Sequence, residues 1–267
     1  MNIKNDYFAS PSYVKPLGRT YFHNNRLFCA LSGTGGEFSF SGTSCFITIA
    51  GDSNSANPLF ANSHARIAIY VNGNRIIDDL IDQHSKTYCV LECEVKTDVV
   101  ISIVKLSESP MSTISIDRIT VTGSAPQQTK EKERLIEFVG DSITCGYGID
   151  DPVPEHSFAT KTEDVTKSYA YQAAQSLNAD YSIVSFSGYG IISGFTENDS
   201  KLTGQLVPPL YTKLGYSWSQ NRDFVPSDIK WDFTKRQPDA IVINLGTNDD
   251  SYTKDIVSRQ EEYAAEY

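Results

Sequence analysis

Three short apolar runs, each closing on a polar loop that contains glycine, constrain the fold of this chain more than any other feature. The runs are 135–139 before Gly140, 181–186 before Gly188, and 240–245 before Gly246. Sequence that is compatible with a helix follows each run, and such alternation is typical of a parallel α/β sheet. In these sheets ligands and catalytic groups collect where the strands end. The second half is therefore predicted to be an α/β domain with its chemistry in three loops.

The first half has a different pattern, because short runs rich in β-branched and aromatic residues are separated by turn signals. Asn72-Gly73 stands between two such runs and predicts a two-residue hairpin turn, which needs positive φ at both positions. Regular strands without helical periodicity predict an antiparallel β-sandwich of the jelly-roll type. The expected strands are 36–40, 45–50, 66–71, 75–77, 88–95, 99–106 and 112–122.

The pattern breaks in a polar stretch at 123–132, which suits a linker. We therefore predict a jelly-roll β-sandwich domain over 1–124, a linker over 125–132, and an α/β domain with a parallel sheet over 133–267. A chain of 267 residues is long enough for two such cores.

Charge and composition argue against several classes of partner. The net charge is −10, almost all of it after Ser124, and no Lys/Arg face is clustered, so nucleic acid and anionic membranes are not expected. No apolar window has the length of a membrane span, and residues 1–10 hold no signal-peptide core. We expect a soluble cytoplasmic protein, or a secreted one if a leader has been removed. Assembly into a homo-oligomer is left open.

The five cysteines are odd in number and lack the spacing of a zinc site. They are expected to be free, mostly buried thiols in a reducing compartment. No metal or cofactor is predicted.

The loop after the first α/β strand contains Gly140-Asp141-Ser142. A serine at a strand-to-helix turn is exposed at the sheet edge, and the following helix offers N–H groups to a developing oxyanion. Ser142 is therefore a candidate nucleophile. The alternative is that Asp141 or Ser142 only caps the helix, as these residue types often do.

The other two loops supply candidate donors to the same oxyanion. Gly188 lets a backbone N–H approach a substrate closely, although it could equally be a turn glycine. Asn248, in Gly246-Thr247-Asn248, offers a side-chain amide, although it could instead cap the next helix.

The three loops, in this order, resemble those of the SGNH hydrolases, also called GDSL-type esterases. The resemblance implies that Ser142 is the nucleophile and that the Ser142 N–H, the Gly188 N–H and the Asn248 amide form the oxyanion hole.

Three further segments, 140–148, 231–233 before Gln237-Pro238-Asp239, and 104–108, are similar to family 2 of the carbohydrate esterases. That family joins a jelly roll to an SGNH domain. The resemblance implies a serine esterase that removes O-acetyl groups from xylan and related plant polysaccharides or oligosaccharides.

A serine hydroxyl needs a base, and the family supplies a histidine from a block near the C-terminus. The four histidines here are His23, His64, His84 and His156, and none follows Asn248. The chain also stops in an amphipathic run at 251–267, so we expect it to be a portion of a longer enzyme. His156 is expected to be an exposed loop residue.

Two other functions are considered. The SGNH fold also hosts lipid and thioester hydrolases, because fold does not determine substrate. A non-catalytic carbohydrate-binding protein would account for the missing histidine, but not for an intact set of Ser142, Gly188 and Asn248. The long connection 190–238 is rich in aromatic residues, which either form a wall for a sugar or pack the two domains together.

Overall fold

The computed structural model describes residues 3–267. Its first part, the β-domain, is a set of ten antiparallel strands whose central neighbours are β9, β5 and β8. The strands are β1 (Asn5–Phe8), β2 (Lys15–Leu17), β3 (Thr20–His23), β4 (Arg26–Cys29), β5 (Gly35–Ala50), β6 (Arg66–Val71), β7 (Asn74–Leu80), β8 (Ser85–Lys105), β9 (Ile114–Gly123) and β10 (Gln127–Gln128). A 3-10 helix at Pro58–Ser63 precedes β6. Among residues 3–267, no helix is both long enough and apolar enough to cross a membrane.

The predicted β-rich domain is confirmed, but two pairs of predicted strands are single long strands. Segments 36–40 and 45–50 both belong to β5, and 88–95 and 99–106 both belong to β8. A register shift between Gly42 and Ser44 bends β5 without ending it, as a bulge does. Alternate side chains of these strands, among them Phe38 and Ile47, lie in one apolar core.

The predicted Asn72-Gly73 hairpin is confirmed. It joins β6 to β7 with φ of 50° at Asn72 and 80° at Gly73, as a two-residue turn with positive φ at both positions requires. All five cysteines are free, with Cys29, Cys45 and Cys145 buried and Cys89 exposed.

The second part, the α/β-domain, contains the predicted parallel sheet of three strands, and their order is β12-β11-β13. Its strands are β11 (Leu135–Gly140), β12 (Asp180–Ser185) and β13 (Ala240–Asn244). Its α-helices are α1 (Ser142–Cys145), α2 (Tyr169–Ser176), α3 (Val207–Tyr211), α4 (Thr247–Thr253) and α5 (Val257–Glu266), and its 3-10 helices are Thr160–Thr162, Val165–Lys167 and Pro226–Asp228.

The central strand β11 is buried on both faces, since Phe138 packs in a cluster with α2 and Val139 packs in a cluster with residues of the 190–238 connection. The edge strand β13 differs from β11. Its Ile241, Val242 and Ile243 side chains are exposed.

Part of the predicted linker is held against the domains. Gln127–Gln128 forms β10, which pairs with β5, and the Lys132 N–H donates to an Asp180 carboxylate oxygen at 2.9 Å. The division of the chain at this stretch stays a prediction.

Arginines of the β-domain reach across to acidic groups of the α/β-domain. Arg75 donates to both carboxylate oxygens of Asp164, at 2.8 and 3.2 Å, and the Asp164 side chain is fully buried. Arg66 donates to Asp150 at 2.8 Å. Because a buried carboxylate is costly without a partner, Arg75 stabilises the contact between the two parts.

We predict that Arg75→Ala lowers the free energy of unfolding by about 2–3 kcal/mol, because it leaves Asp164 buried with much weaker compensation. Urea unfolding followed by circular dichroism measures this change. The control is Arg118→Ala, which removes an exposed pair with Asp6 and should leave the unfolding midpoint unchanged. Equal effects of the two substitutions would contradict the prediction.

Candidate active site

The parallel register brings the three predicted loops to one edge of the sheet. Ser142, Gly188 and Asn248 line one open cavity of about 320 Å³. The sequence-predicted residues are therefore neighbours, although their catalytic roles stay a prediction.

Asp141, and not Ser142, caps helix α1. The Asp141 carboxylate accepts the Ile143 N–H at 3.0 Å, and burial raises the pKa of this carboxyl. Gly140 is required just before it, because a Cβ there would lie 1.9 Å from the Thr144 hydroxyl oxygen. With the capping done by its neighbour, the Ser142 side chain is left facing the cavity at the start of the helix.

Gly188 lies in a turn, and its role as an oxyanion donor stays a prediction. It is the third residue of a turn closed by the Tyr189 N–H and the Phe186 carbonyl, at 3.3 Å, and its φ of 80° favours glycine. A Cβ at Gly188 would meet nothing within 4 Å, so the space before it is open. Within the described part of the chain, neither the Gly188 N–H nor the Ser142 N–H donates to another group.

Asn248 does not cap α4, because it is the second residue of the helix and Gly246 holds the capping position. Its side chain is buried, and Nδ2 donates to the Tyr189 carbonyl at 2.7 Å. An amide nitrogen carries two N–H bonds, so one donor remains for a ligand in the cavity. The same bond ties the third loop to the second.

The sequence interpretation missed Asp249, which organises the second loop. Its buried carboxylate accepts the N–H groups of Ile191, Ile192 and Ser193 at 2.7 to 3.0 Å. An acidic residue in the first turn of a helix is usually interpreted as a helix-dipole partner, so only the tertiary contact reveals this role.

Aromatic side chains flank the cavity. Tyr147 and Phe158 stack with ring centroids 4.7 Å apart on one side, while Phe195 and Trp218 are exposed at 52% and 59%. Exposed rings of this size in a polar protein favour a ligand with an apolar face, such as a sugar ring.

Other aromatics of the 190–238 connection have a packing role. The guanidinium carbon of Arg19 lies 4.7 Å from the Tyr211 ring centroid and 5.1 Å from that of Trp231. Arg19 itself is buried and forms an ion pair with Glu137, with a shortest N–O distance of 2.9 Å. These residues have the packing role that was one of the two interpretations, and the sugar-binding wall stays a prediction.

His156 is exposed, and its Nδ1 lies 2.9 Å from an Asp151 carboxylate oxygen. No histidine of residues 3–267 is among those that line the cavity.

One group of side chains in the described chain has the composition of a metal site. Potential ligand atoms of Glu108, Cys145 and Glu163 lie within 4.8 Å of one another and are buried. The fully buried Lys105 ammonium interacts electrostatically with Glu108 and Glu163, so this cluster already contains a positive charge. These residues do not favour a cation.

Comparison with known proteins gives consistent matches over both parts. Residues 16–129 match the model of the carbohydrate esterase 2 N-terminal domain, and residues 136–267 match that of the GDSL-like lipase/acylhydrolases. A solved family 2 carbohydrate esterase with a carbohydrate-binding domain, from Myceliophthora fergusii, is 30% identical with a TM-score of 0.71, covering 95% of this chain and 74% of that one.

The chain belongs to carbohydrate esterase family 2. Among curated relatives, the cellulase/esterase CelE of Acetivibrio thermocellus is 31% identical over 83% of this chain. An acetylxylan esterase/glucomannan deacetylase of Cellvibrio japonicus is 26% identical over 90% of it. The chain spans only 24% and 62% of the lengths of these two relatives.

We predict that Asn248→Ala in the full-length family 2 esterase lowers kcat for p-nitrophenyl acetate by roughly 10²–10³, because one oxyanion donor is lost. KM should change little. The control is Thr247→Ala, an exposed neighbour on the same helix that does not line the cavity. If the Asn248 variant loses structure while its folded fraction stays fully active, Asn248 serves only to tie the loops together.

Proposed function

We propose that this chain carries the nucleophile and the oxyanion hole of a serine esterase that removes O-acetyl groups from xylan or related plant polysaccharides and oligosaccharides. The observation that carries the proposal is the Ser142 hydroxyl, left uncommitted by the Asp141 cap and facing a cavity that it shares with Gly188 and Asn248.

In this mechanism the Ser142 oxygen attacks the acetyl carbonyl carbon, and its proton passes to a base. The oxyanion accepts hydrogen bonds from the N–H groups of Ser142 and Gly188 and from the Asn248 amide. The C–O bond to the sugar then breaks, the sugar oxygen takes the proton, and an acetyl-enzyme remains. Water attacks this ester, releasing acetate and restoring Ser142. By resemblance to the family, the base is a histidine.

The substrate class is supported by the cavity and by the relatives. An acetyl group is small enough for the cavity of about 320 Å³, and the exposed Trp218 offers a surface on which a sugar ring can stack. The printed name of the Cellvibrio japonicus relative, an acetylxylan esterase/glucomannan deacetylase, agrees with this class.

A non-catalytic carbohydrate-binding role has less support. Aromatic side chains that stack on a sugar would be sufficient for such a role. Binding alone does not require the free Ser142 hydroxyl at the start of a helix, nor the N–H groups of Ser142 and Gly188 that donate to no other group.

We predict that Ser142→Ala in the full-length enzyme lowers kcat by several orders of magnitude and leaves KM almost unchanged, because only transition-state stabilisation is removed. Release of acetate from acetylated xylan measures this, with the exposed Ser157→Ala as the control. A Ser142 variant that keeps more than about a tenth of the wild-type kcat would exclude Ser142 as the nucleophile.

Acyl-chain length separates a deacetylase from a lipid or thioester hydrolase. We expect kcat/KM for p-nitrophenyl acetate to exceed that for the octanoyl ester, because the cavity is open and would leave much of a long acyl chain in water. A preference for octanoyl would support the lipid hydrolase and contradict the proposed substrate.

A further inference from the structure

The second loop of the active site rests on a segment of the β-domain. Residues 106–110 follow β8, and the buried residue Glu108 from this segment lines the same cavity as Ser142 and Gly188. The Glu108 carboxylate accepts the Ser187 N–H at 2.8 Å. The backbone immediately before Gly188 is therefore held by a residue from a distant part of the chain.

The backbone N–H and the backbone carbonyl of Glu108 are both hydrogen-bonded. Its N–H donates to the Glu163 carboxylate at 3.0 Å. The Lys105 ammonium donates to the carbonyls of Ser107 and Glu108, at 2.6 and 3.0 Å. Because all these groups are buried, the segment has few alternative conformations that keep their hydrogen bonds.

This cluster places two buried carboxyl groups beside one buried ammonium group. Burial and the neighbouring Glu108 raise the pKa of Glu163 well above its usual value. Burial also raises the pKa of Glu108, but the Ser187 N–H and the Lys105 charge oppose this shift. The Lys105 ammonium partly compensates the burial of these two groups.

Two hydrogen bonds flank the Gly188 N–H directly. Ser187 is held through its N–H by Glu108, and the Gly188 carbonyl accepts the Phe195 N–H at 2.8 Å. The Gly188 N–H lies between these two anchors and stays free. Glycine has more backbone freedom than other residues, so its N–H direction depends on such anchors.

We propose that Glu108 is a positioning residue for ester hydrolysis, which aims the Gly188 N–H at the oxyanion by holding Ser187. The β-domain thereby completes the oxyanion hole of the α/β-domain. This inference rests on the proposed esterase function and adds a residue from outside the SGNH-type domain to its machinery.

The test compares two neutral side chains of similar length in the full-length enzyme. Glu108→Gln keeps an oxygen that accepts the Ser187 N–H, whereas Glu108→Met fills the space without a good acceptor. With p-nitrophenyl acetate, we expect Glu108→Gln to keep kcat within about threefold and Glu108→Met to lose roughly 10²-fold, both with unchanged KM, because a misplaced donor costs transition-state binding alone.

Glu137→Gln is the matched control for the loss of a buried glutamate. Glu137 is buried in an ion pair with Arg19 and does not contact the second loop of the active site. It should lower the unfolding midpoint and leave the kcat of the folded enzyme unchanged. Equal kcat for the Glu108→Gln and Glu108→Met proteins, with only their unfolding midpoints lowered, would overturn the proposal and assign Glu108 a purely structural role.

Glu108→Asp covers the case in which the neutral variants do not fold, because Asp keeps the charge beside Lys105 but falls short of Ser187 by one methylene. We expect a loss in kcat of at least about tenfold for Glu108→Asp, and a wild-type kcat would again overturn the proposal. Retained activity in Ser142→Ala would instead reject the esterase mechanism itself, so the two failures are distinguishable.

Discussion

The parallel pairing of β11 with both β12 and β13 is the constraint on which the candidate active site depends. Gly140 lies opposite Ser185 on one side and Asn244 on the other, so all three strands end at the same level. Side chains in the loops that follow can therefore share one cavity although they are far apart in the chain. Any slip in this register would separate Ser142 from its two partner loops.

Loops that end parallel strands carry many backbone N–H groups, and here carboxylates and one amide hold them in place. Asp141 accepts one N–H of the first loop, and Asp249 accepts three N–H groups after Gly188. The Asn248 amide donates to the Tyr189 carbonyl. The N–H groups of Ser142 and Gly188, two of the residues that line the cavity, donate to no group of the described chain. The loops are fixed while the donors that an oxyanion needs stay open.

The β-domain contributes more than a neighbouring surface. Through Arg75 it neutralises the buried Asp164, and through Glu108 it reaches the second loop of the candidate active site. Both contacts place charged groups away from water, where each depends on its partner. The two parts of the chain are therefore coupled through interactions that neither could satisfy alone.

The amino-acid sequence is enough to predict the order of the two parts and the parallel strands that end near Gly140, Gly188 and Gly246. It also predicts the three candidate site residues. These features depend on local periodicity and on glycine-containing turns. The sequence did not reveal that β5 and β8 are single bent strands, since a bulge and a strand end leave similar local signals. The tertiary structure alone decided that Asp141 caps the helix while Ser142 stays free, and that Asp249 and Glu108 hold the second loop. The roles of Asp249 and Glu108 depend on contacts between residues distant in the chain, and local pattern carries no information about which buried N–H a given carboxylate will meet. The Asp141 cap is a local contact, and the sequence had left the choice between Asp141 and Ser142 open.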